Sequence, residues 1–282
     1  MLKRIKHSDI KKMLPIRDPK SHKGMNGRVL IVAGSLDYSG TAILAGLGAL
    51  HSGADLVTLY VPECNFECTR GFSPDFIVKK YKGDYLNKDA VSGILAASKK
   101  SDCVLIGPGL TDSSDILDTV KELLNKLSAA VVLDADAISV VKRIENFPLP
   151  YQVVLTPHKN EFANLVDREV DLNENDPKSI ILLRSVSMDL HVNILLKGPL
   201  DYISSEEGHV EVNKTGNPGM TVGGSGDVLS GVVATLLAQT GNGFVSAKLA
   251  AYIVGAAGDL CMQKKGYHFS ASDIALALPY VF

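Results

Sequence analysis

The chain has 282 residues, and 46% of them are hydrophobic, which is enough apolar material for a large core. Its 29 basic and 31 acidic residues leave a net charge of −2, so no overall field attracts nucleic acid or an anionic membrane. The composition therefore predicts one large domain without a nucleic-acid or membrane partner, in which any anionic ligand is held by a local site.

The cysteines and the N-terminus bear on where the protein resides. Four cysteines are scattered apart from the pair Cys64 and Cys68, and no second pair completes a zinc site. Residues 1–6 are charged, but no apolar run of signal-peptide length follows them, and no stretch reaches the roughly 18 uninterrupted apolar residues of a membrane span. We expect a soluble cytoplasmic protein with reduced, buried thiols.

Short apolar runs alternate with segments of helical periodicity along the chain. This rhythm predicts an α/β fold with parallel strands joined by crossover helices, and strands without polar alternation belong to a sheet covered on both faces. The predicted strands are residues 29–33, 56–61, 104–106, 131–133, 153–155 and 194–196. Ligands bind beyond the carboxyl ends of such strands, where most of these runs end in polar or glycine- and proline-bearing loops.

The loops after the early strands have two interpretations each. Residues 34–40 lead into a helix of small residues, 41–49, which would let a ligand approach but fits packing against the sheet better. Gly107-Pro108-Gly109 predicts a tight turn that leaves room above it, as any simple turn would.

The segment 156–161 combines a turn with His158 and Glu161 just before the helical run 162–166. His158 is suited to hydrogen-bonding a ligand, and Glu161 to holding Mg²⁺ through water, because Mg²⁺ usually keeps several waters beside few carboxylates. Asn160 or Glu161 also fits an ordinary helix start, and the sequence leaves both interpretations open.

Lys197 ends a strand that reads as buried, where an unpaired ammonium would be expensive, so a phosphate or carboxylate partner is expected unless its stem reaches solvent. Residues 201–204 and 210–212 then predict an antiparallel hairpin at one sheet edge. Residues 213–222 have no regular periodicity and fit either a cover for a nucleotide or a plain connector.

The glycine-rich junction Gly-Gly-Ser-Gly-Asp at 223–227 opens into the helical run 228–239. Close glycines let backbone N–H groups converge, and a helix N-terminus adds its positive dipole end, so the junction suits a phosphate. Asp227 could take a proton from a hydroxyl that meets this phosphate, or could simply cap the helix. Further helices are predicted at 247–262 and 271–278, with Ser270 or Ser272 as a cap.

Read in order, these segments resemble the ADP/ATP-dependent NAD(P)H-hydrate dehydratases, a repair-enzyme family with the ribokinase-like fold. Each motif is weak alone, but their ordered set covers nearly the whole chain. The motifs are Ser-His-Lys-Gly at 21–24, Ala-Gly-Ser at 33–35, Ala-Gly-Leu-Gly-Ala at 45–49, Ile-Gly-Pro-Gly-Leu at 106–110, Leu-Asp-Ala-Asp-Ala at 133–137, Leu-Thr-Pro-His at 155–158, Gly-Gly-Ser-Gly-Asp at 223–227 and Ala-Ser-Asp at 271–273.

The resemblance implies a three-layer α-β-α sandwich with a mostly parallel sheet and a small antiparallel edge. It implies the repair of hydrated NADH or NADPH, in which ADP or ATP with Mg²⁺ phosphorylates the hydrate hydroxyl and phosphate then leaves. Residues 1–282 would form a single dehydratase domain, because nothing of epimerase length precedes Ser21, and relatives suggest a homotetramer.

The resemblance also implies roles for individual residues. Asp227 would deprotonate or orient the hydroxyl, and with Ala42, Gly109 and His158 would contact the hydrated dinucleotide. The positions matching the phosphoryl-stabilising loop are Gly224, Ser225 and Gly226, and those matching the adenine-nucleotide site are Lys197, Gly198, Pro199, Leu200, Asp201 and Gly226.

Glu161 matches the family's acidic position after the histidine, with a metal role through water. Lys159-Asn160 stands where the family commonly has Pro-Gly, and residues 220–222 also depart from the usual pattern. Two alternatives remain open: a ribokinase-like small-molecule kinase of the hydroxymethylpyrimidine or hydroxyethylthiazole type, and a non-catalytic nucleotide-binding regulatory protein.

Overall fold

The protein is a three-layer α-β-α sandwich around a ten-stranded sheet. The computed structural model describes residues 2–145, 147–170 and 177–282. The strands are β1 Lys3–Arg4, β2 Arg28–Val32, β3 Leu56–Pro62, β4 Phe76–Tyr81, β5 Cys103–Ile106, β6 Ala130–Leu133, β7 Val153–Leu155, β8 Asn193–Leu196, β9 Asp201–Ser204 and β10 Val210–Asn213.

The helices cover both faces of the sheet. They are α1 His7–Met13, α2 Thr41–His51, α3 Glu63–Phe72, α4 Val91–Ser98, α5 Ser114–Leu124, α6 Lys159–Val166, α7 Pro177–Leu190, α8 Ser225–Thr240, α9 Gly243–Lys265 and α10 Ala271–Ala277. Short 3₁₀ helices occupy Lys88–Ala90, Ala135–Arg143, Pro218–Thr221 and Leu278–Tyr280.

The strand order is β1-β10-β9-β8-β7-β6-β5-β2-β3-β4. Strands β8 to β4 in that order are parallel, β9 runs antiparallel to both β8 and β10, and β1 pairs parallel with β10. The predicted α/β class, with its mostly parallel sheet and antiparallel edge, is therefore confirmed.

Each central strand is apolar on both faces, which explains the lack of polar alternation in its sequence. In β2, Val29 and Ile31 pack toward the layer that contains α2, α8, α9 and α10. Leu30 and Val32 pack toward the opposite layer, with α4, α5, α6 and α7. The carboxyl ends of β2, β5, β6, β7 and β8 consequently share one edge of the sheet, which we call the C-terminal rim.

Some predicted boundaries were wrong. Helix α8 begins three residues earlier than predicted, at Ser225, and α9 runs from Gly243 rather than from 247. The edge strands β1 and β4 were not predicted, because β1 is two residues long and β4 carries two adjacent lysines. Ser270 caps α10 through its side chain, as expected.

Helix α9 is long and apolar enough to cross a membrane by length and composition alone. It packs on α8 and the sheet, and 67% of its apolar window is buried, so its apolarity is that of a core helix. All four cysteines are free. The expectation of buried thiols is right for Cys103 and Cys261 but wrong for Cys64 and Cys68, which are exposed on α3.

Candidate active site

The N-terminus of α8 lies at the C-terminal rim and carries an unengaged carboxylate. The residue at its N-cap is Gly224, with φ of +91°, where an added Cβ would lie 2.4 Å from Leu44 Cδ1. Asp227 is the third residue of the helix, and its carboxylate accepts no hydrogen bond from the described residues. The interpretation of Asp227 as a capping residue is therefore wrong, and its carboxylate oxygens are free to accept a proton or a hydrogen bond from a ligand.

Two backbone N–H donors lie in the same helix turn as this carboxylate. Within the described part of the chain, the N–H groups of Gly226 and Asp227 have no acceptor, as expected in the first turn of a helix. The Ser225 hydroxyl donates to the carbonyl of Met220 at 2.8 Å and so ties the 3₁₀ turn Pro218–Thr221 to the helix start. The turn is held by side-chain bonding, and the free N–H groups form a cradle for an anion.

Lys197, the first residue after β8, brings a positive charge to this cradle. Its Nζ lies 3.4 Å from the point that a Cβ on Gly226 would occupy, and it donates to Asp134 Oδ1 at 2.9 Å. The expected carboxylate partner is therefore confirmed and is Asp134, the residue that follows β6. Asp134 is 2% exposed and also accepts a hydrogen bond from the Thr156 hydroxyl at 2.7 Å.

The charged groups of this cluster shift one another's pKa values. Burial and the negative charge of Asp134 raise the pKa of Asp227 to about 7, against the opposing effect of Lys197. Burial lowers the pKa of Lys197, but Asp134 and Glu161 outweigh it, so the pKa of this ammonium lies above its ordinary value. Lys197 is therefore charged at neutral pH, while Asp227 is poised to accept a proton.

His158 and Glu161 start α6 together. His158 Nδ1 accepts from the N–H groups of Asn160 and Glu161, both at 3.1 Å, and Glu161 Oε2 accepts from the His158 N–H at 2.7 Å. The helix-start interpretation is confirmed as a capping box. Because Nδ1 accepts, the imidazole proton resides on Nε2, which lies 3.4 Å from Glu161 Oε1 on a half-exposed ring.

Glu161 is the side chain for which the sequence predicts a metal role. Burial raises its pKa while the charge of Lys197 opposes this. In residues 2–145, 147–170 and 177–282, no group of three or more histidine, cysteine and acidic side chains could hold a metal ion alone. A single carboxylate such as that of Glu161 fits Mg²⁺, which takes one or two carboxylates together with water and nucleotide phosphates.

The remaining predicted site residues differ in accessibility. Gly109, with φ of +68°, lies where the β5 loop meets α2, and an added Cβ would be 2.5 Å from Thr41 Oγ1. Ala42, in α2, is fully buried. A direct contact between Ala42 and a ligand therefore requires its surroundings to move, whereas Gly109 is partly exposed at the rim.

Residues 197–200 form the turn between β8 and β9, and Asp201 is the first residue of β9. Gly198 and Pro199 are exposed, Leu200 is half-buried, and the Gly198 N–H donates to Asp201 Oδ1 at 3.2 Å. Burial raises the pKa of Asp201 to about 6, although Asn213 donates to its other oxygen at 3.0 Å. Asp201 thus holds the shape of the turn, and the exposed backbone before it faces solvent at the rim.

Sequence reasoning assigned no role to Asp134 or Thr156, although both follow buried strands directly. The rule that polar residues beyond the carboxyl ends of parallel strands line the site would have found them. Their pairing with Lys197 was not visible, because β6, β7 and β8 are adjacent only in the folded sheet.

The sequence profile of the NAD(P)H-hydrate dehydratase family matches residues 29–280. The chain belongs to this family. Its fold is accordingly ribokinase-like, as expected, and the motifs at the C-terminal rim are those on which the family resemblance rests.

The family contains relatives of two lengths. The chain is 38% identical over 271 residues to the bifunctional NAD(P)H-hydrate repair enzyme of Methanothermobacter thermautotrophicus, covering 95% of this chain and 52% of that protein. It is 38% identical over 268 residues to the ADP-dependent (S)-NAD(P)H-hydrate dehydratase of Nitrosopumilus maritimus, covering 94% and 91%. The chain thus spans about half the length of the bifunctional relatives.

A solved relative has the same architecture. The ADP/ATP-dependent NAD(P)H-hydrate dehydratase of Bacillus subtilis, co-crystallised with ATP and Mg²⁺, superposes with a TM-score of 0.84 at 27% identity, covering 99% of this chain and 97% of that one.

Proposed function

We propose that this protein repairs hydrated NADH or NADPH by dehydration driven by ADP or ATP, a carbon–oxygen lyase reaction. The observation that carries the proposal is the Asp227 carboxylate, which has no hydrogen bond within the described residues and lies beside free N–H groups and the Lys197 ammonium. Membership of the dehydratase family supports the choice of the hydrate as substrate.

Asp227 acts as the base in this proposal. Its carboxylate takes the proton of the hydrate hydroxyl while the hydroxyl oxygen forms a bond to the terminal phosphorus of the nucleotide. The bridging P–O bond breaks, and its electron pair leaves with AMP or ADP. The C–O bond of the phosphorylated hydrate then breaks, phosphate carries away the electron pair, and the adjacent carbon loses a proton, which restores the reduced nicotinamide ring without net oxidation.

The residues of the cradle bind the transferring phosphoryl group and neutralise its charge. The N–H groups of Gly226 and Asp227 and the ammonium of Lys197 stabilise the charge on the transferring phosphoryl group. Gly224 and Ser225 keep the turn in the shape that exposes these donors, and the exposed turn at 198–201 takes the rest of the nucleotide. Mg²⁺, when bound beside Glu161 through water, would neutralise phosphate charge.

Substrate binding is assigned to Gly109 and His158, with the Nε2 proton of His158 as a donor to the hydrated dinucleotide. Ala42 is fully buried in α2 and is proposed to shape the floor of this site rather than to present its own surface. The free carboxylate of Asp227 argues against a purely regulatory protein, which would need the cradle but no base.

The proposal extends to the domain, the compartment and the oligomeric state. Residues 1–282 are treated as one dehydratase domain acting on a small-molecule substrate in the cytoplasm, as a homotetramer whose size light scattering would measure. The free state of all four cysteines is consistent with a reducing compartment.

The test incubates the protein with hydrated NADH or NADPH, Mg²⁺ and either ADP or ATP, and follows the recovery of reduced-nicotinamide absorbance together with phosphate release. Recovery with stoichiometric phosphate supports the dehydratase. Consumption of nucleotide with a stable phosphorylated product would favour the kinase alternative instead. Asp227→Ala should abolish recovery while the dissociation constant for nucleotide stays within about threefold of wild type, because the backbone cradle remains.

A further inference from the structure

We propose that Asp134 is a positioning residue for phosphoryl transfer: it holds the Lys197 ammonium at Gly226, beside the cradle, and thereby fixes where the terminal phosphate of the nucleotide is bound. The proposal rests on the proposed function, since it concerns the nucleotide site of that reaction. It gives Asp134 a role that acts through Lys197 and involves no contact with the substrate.

The Asp134 carboxylate is itself held rigidly. It is 2% exposed, and the same oxygen accepts from the Thr156 hydroxyl at 2.7 Å and from Lys197 Nζ at 2.9 Å. Its backbone N–H donates to the Ile106 carbonyl at 3.1 Å, and Gly107 packs closely against it, since an added Cβ there would lie 1.8 Å from the Asp134 carbonyl oxygen. The Asp134 carboxylate therefore stays in place, and the position of the Lys197 ammonium is set by its bond to this carboxylate.

The ammonium is left with capacity for a ligand. Nζ carries three N–H donors. Asp134 takes one, and no other hydrogen-bond acceptor of Nζ is found in the described parts of the chain. Because Nζ lies 3.4 Å from the position of a Cβ on Gly226, its remaining donors are at the same helix start as the free N–H groups. Ammonium and backbone donors thus converge on one place.

Stability alone does not explain this pair. Taking two charges out of water is unfavourable, and buried pairs can often be replaced by apolar residues without loss of stability. Here, moreover, Lys197 is surrounded by three carboxylates, Asp134, Glu161 and Asp227, of which only Asp134 bonds to it directly. A fixed pair beside a phosphate cradle is better explained by the place that it gives the ammonium.

The experiment measures the dissociation constant for ATP by calorimetry and the steady-state constants for both substrates, using Asp134→Asn. Asparagine keeps the shape and an acceptor oxygen but loses the charge that holds the ammonium. Two explanations then predict opposite signs. If Asp134 only adds negative charge near the phosphates, binding of ATP tightens. If it positions Lys197, binding weakens by about tenfold, while KM for the hydrate changes less than about threefold.

Thr156→Val is a graded comparison, because it removes the hydrogen bond that helps to hold the Asp134 carboxylate but leaves the ion pair, so its effect should be smaller than that of Asp134→Asn. Its ATP affinity should stay within about threefold of wild type. A double-mutant cycle with Lys197→Ala gives the decisive arm. Asp134→Asn should weaken ATP binding by less than about twofold in that background, because its effect passes through Lys197.

Unchanged or tighter ATP binding in Asp134→Asn, or full additivity in the cycle, would overturn the proposal. If Asp134→Asn does not fold, Lys197→Arg takes its place, since it keeps the charge and the pairing but moves the donors. Lys197→Arg should weaken ATP binding several-fold. Wild-type affinity for ATP in this variant would also overturn the proposal. Failure of the proposed function looks different: the wild type would bind ATP but would not restore NADH or NADPH.

Discussion

Helices α2 and α8 meet backbone to backbone, and Gly48→Ala tests this contact. A Cβ on Gly48 would lie 2.3 Å from the Val228 carbonyl oxygen, and one on Gly231 would lie 2.0 Å from the Ala45 carbonyl oxygen. Neither obstacle is a side chain that can rotate away. The helices must therefore separate by roughly 0.7 Å at Gly48, and we expect the free energy of unfolding to fall by about 2–4 kcal/mol.

The same substitution should reach the active site. Val228 directly follows Asp227, so a displaced Val228 peptide displaces the base. We expect kcat for repair to fall by about tenfold or more, because sub-ångström errors in catalytic geometry carry large rate penalties. Urea unfolding followed by far-UV circular dichroism gives the stability, and absorbance recovery gives kcat.

Gly71→Ala is the control, because Gly71 lies in the last turn of α3 and an added Cβ meets no atom within 4 Å. This variant should be at least as stable as wild type, since alanine suits a helix better than glycine, and should keep its activity. An unfolding midpoint and kcat of wild-type values in Gly48→Ala would refute the close approach of the two helices.

Other predictions concern the charged site. Because burial raises the pKa of Asp227 to about 7, the folded state holds a proton there that the unfolded state has lost, and stability falls as pH rises from roughly 4 to 7. Asp227→Asn should thus be more stable than wild type at pH 8 by about 1–3 kcal/mol and equal to it near pH 4, as urea titrations would measure; a constant difference across pH would contradict the shift. Wild-type turnover should rise with pH through about 7, and an acid limb far below that value would remove Asp227 as the base. Gly226→Ala should fold normally but raise KM for nucleotide about tenfold, because its methyl group would stand 3.4 Å from Lys197 Nζ in the path of the phosphate; an unchanged KM would exclude this path. Glu161→Gln keeps an acceptor for the His158 N–H, so thermal stability should hold while the Mg²⁺ concentration for half-maximal activity rises several-fold; an unchanged Mg²⁺ requirement would separate Glu161 from the metal.

The sequence by itself determined the layer architecture. Runs such as 104–106 and 131–133 have no polar alternation, which only a sheet covered on both faces tolerates, and crossover helices between parallel strands bring their carboxyl ends to one edge. It also singled out the junction at 223–227, because closely spaced glycines before a helical run have a local meaning that needs no tertiary context.

Tertiary structure decided what each polar residue does at that edge. Whether Asp227 caps α8 or stays free depends on where the helix begins, which is Ser225 because Gly224 adopts a left-handed conformation under Leu44. Lys197 and Asp134 are 63 residues apart in the chain and meet because β6, β7 and β8 lie side by side. Such pairings depend on strand order and burial, and local sequence patterns encode neither.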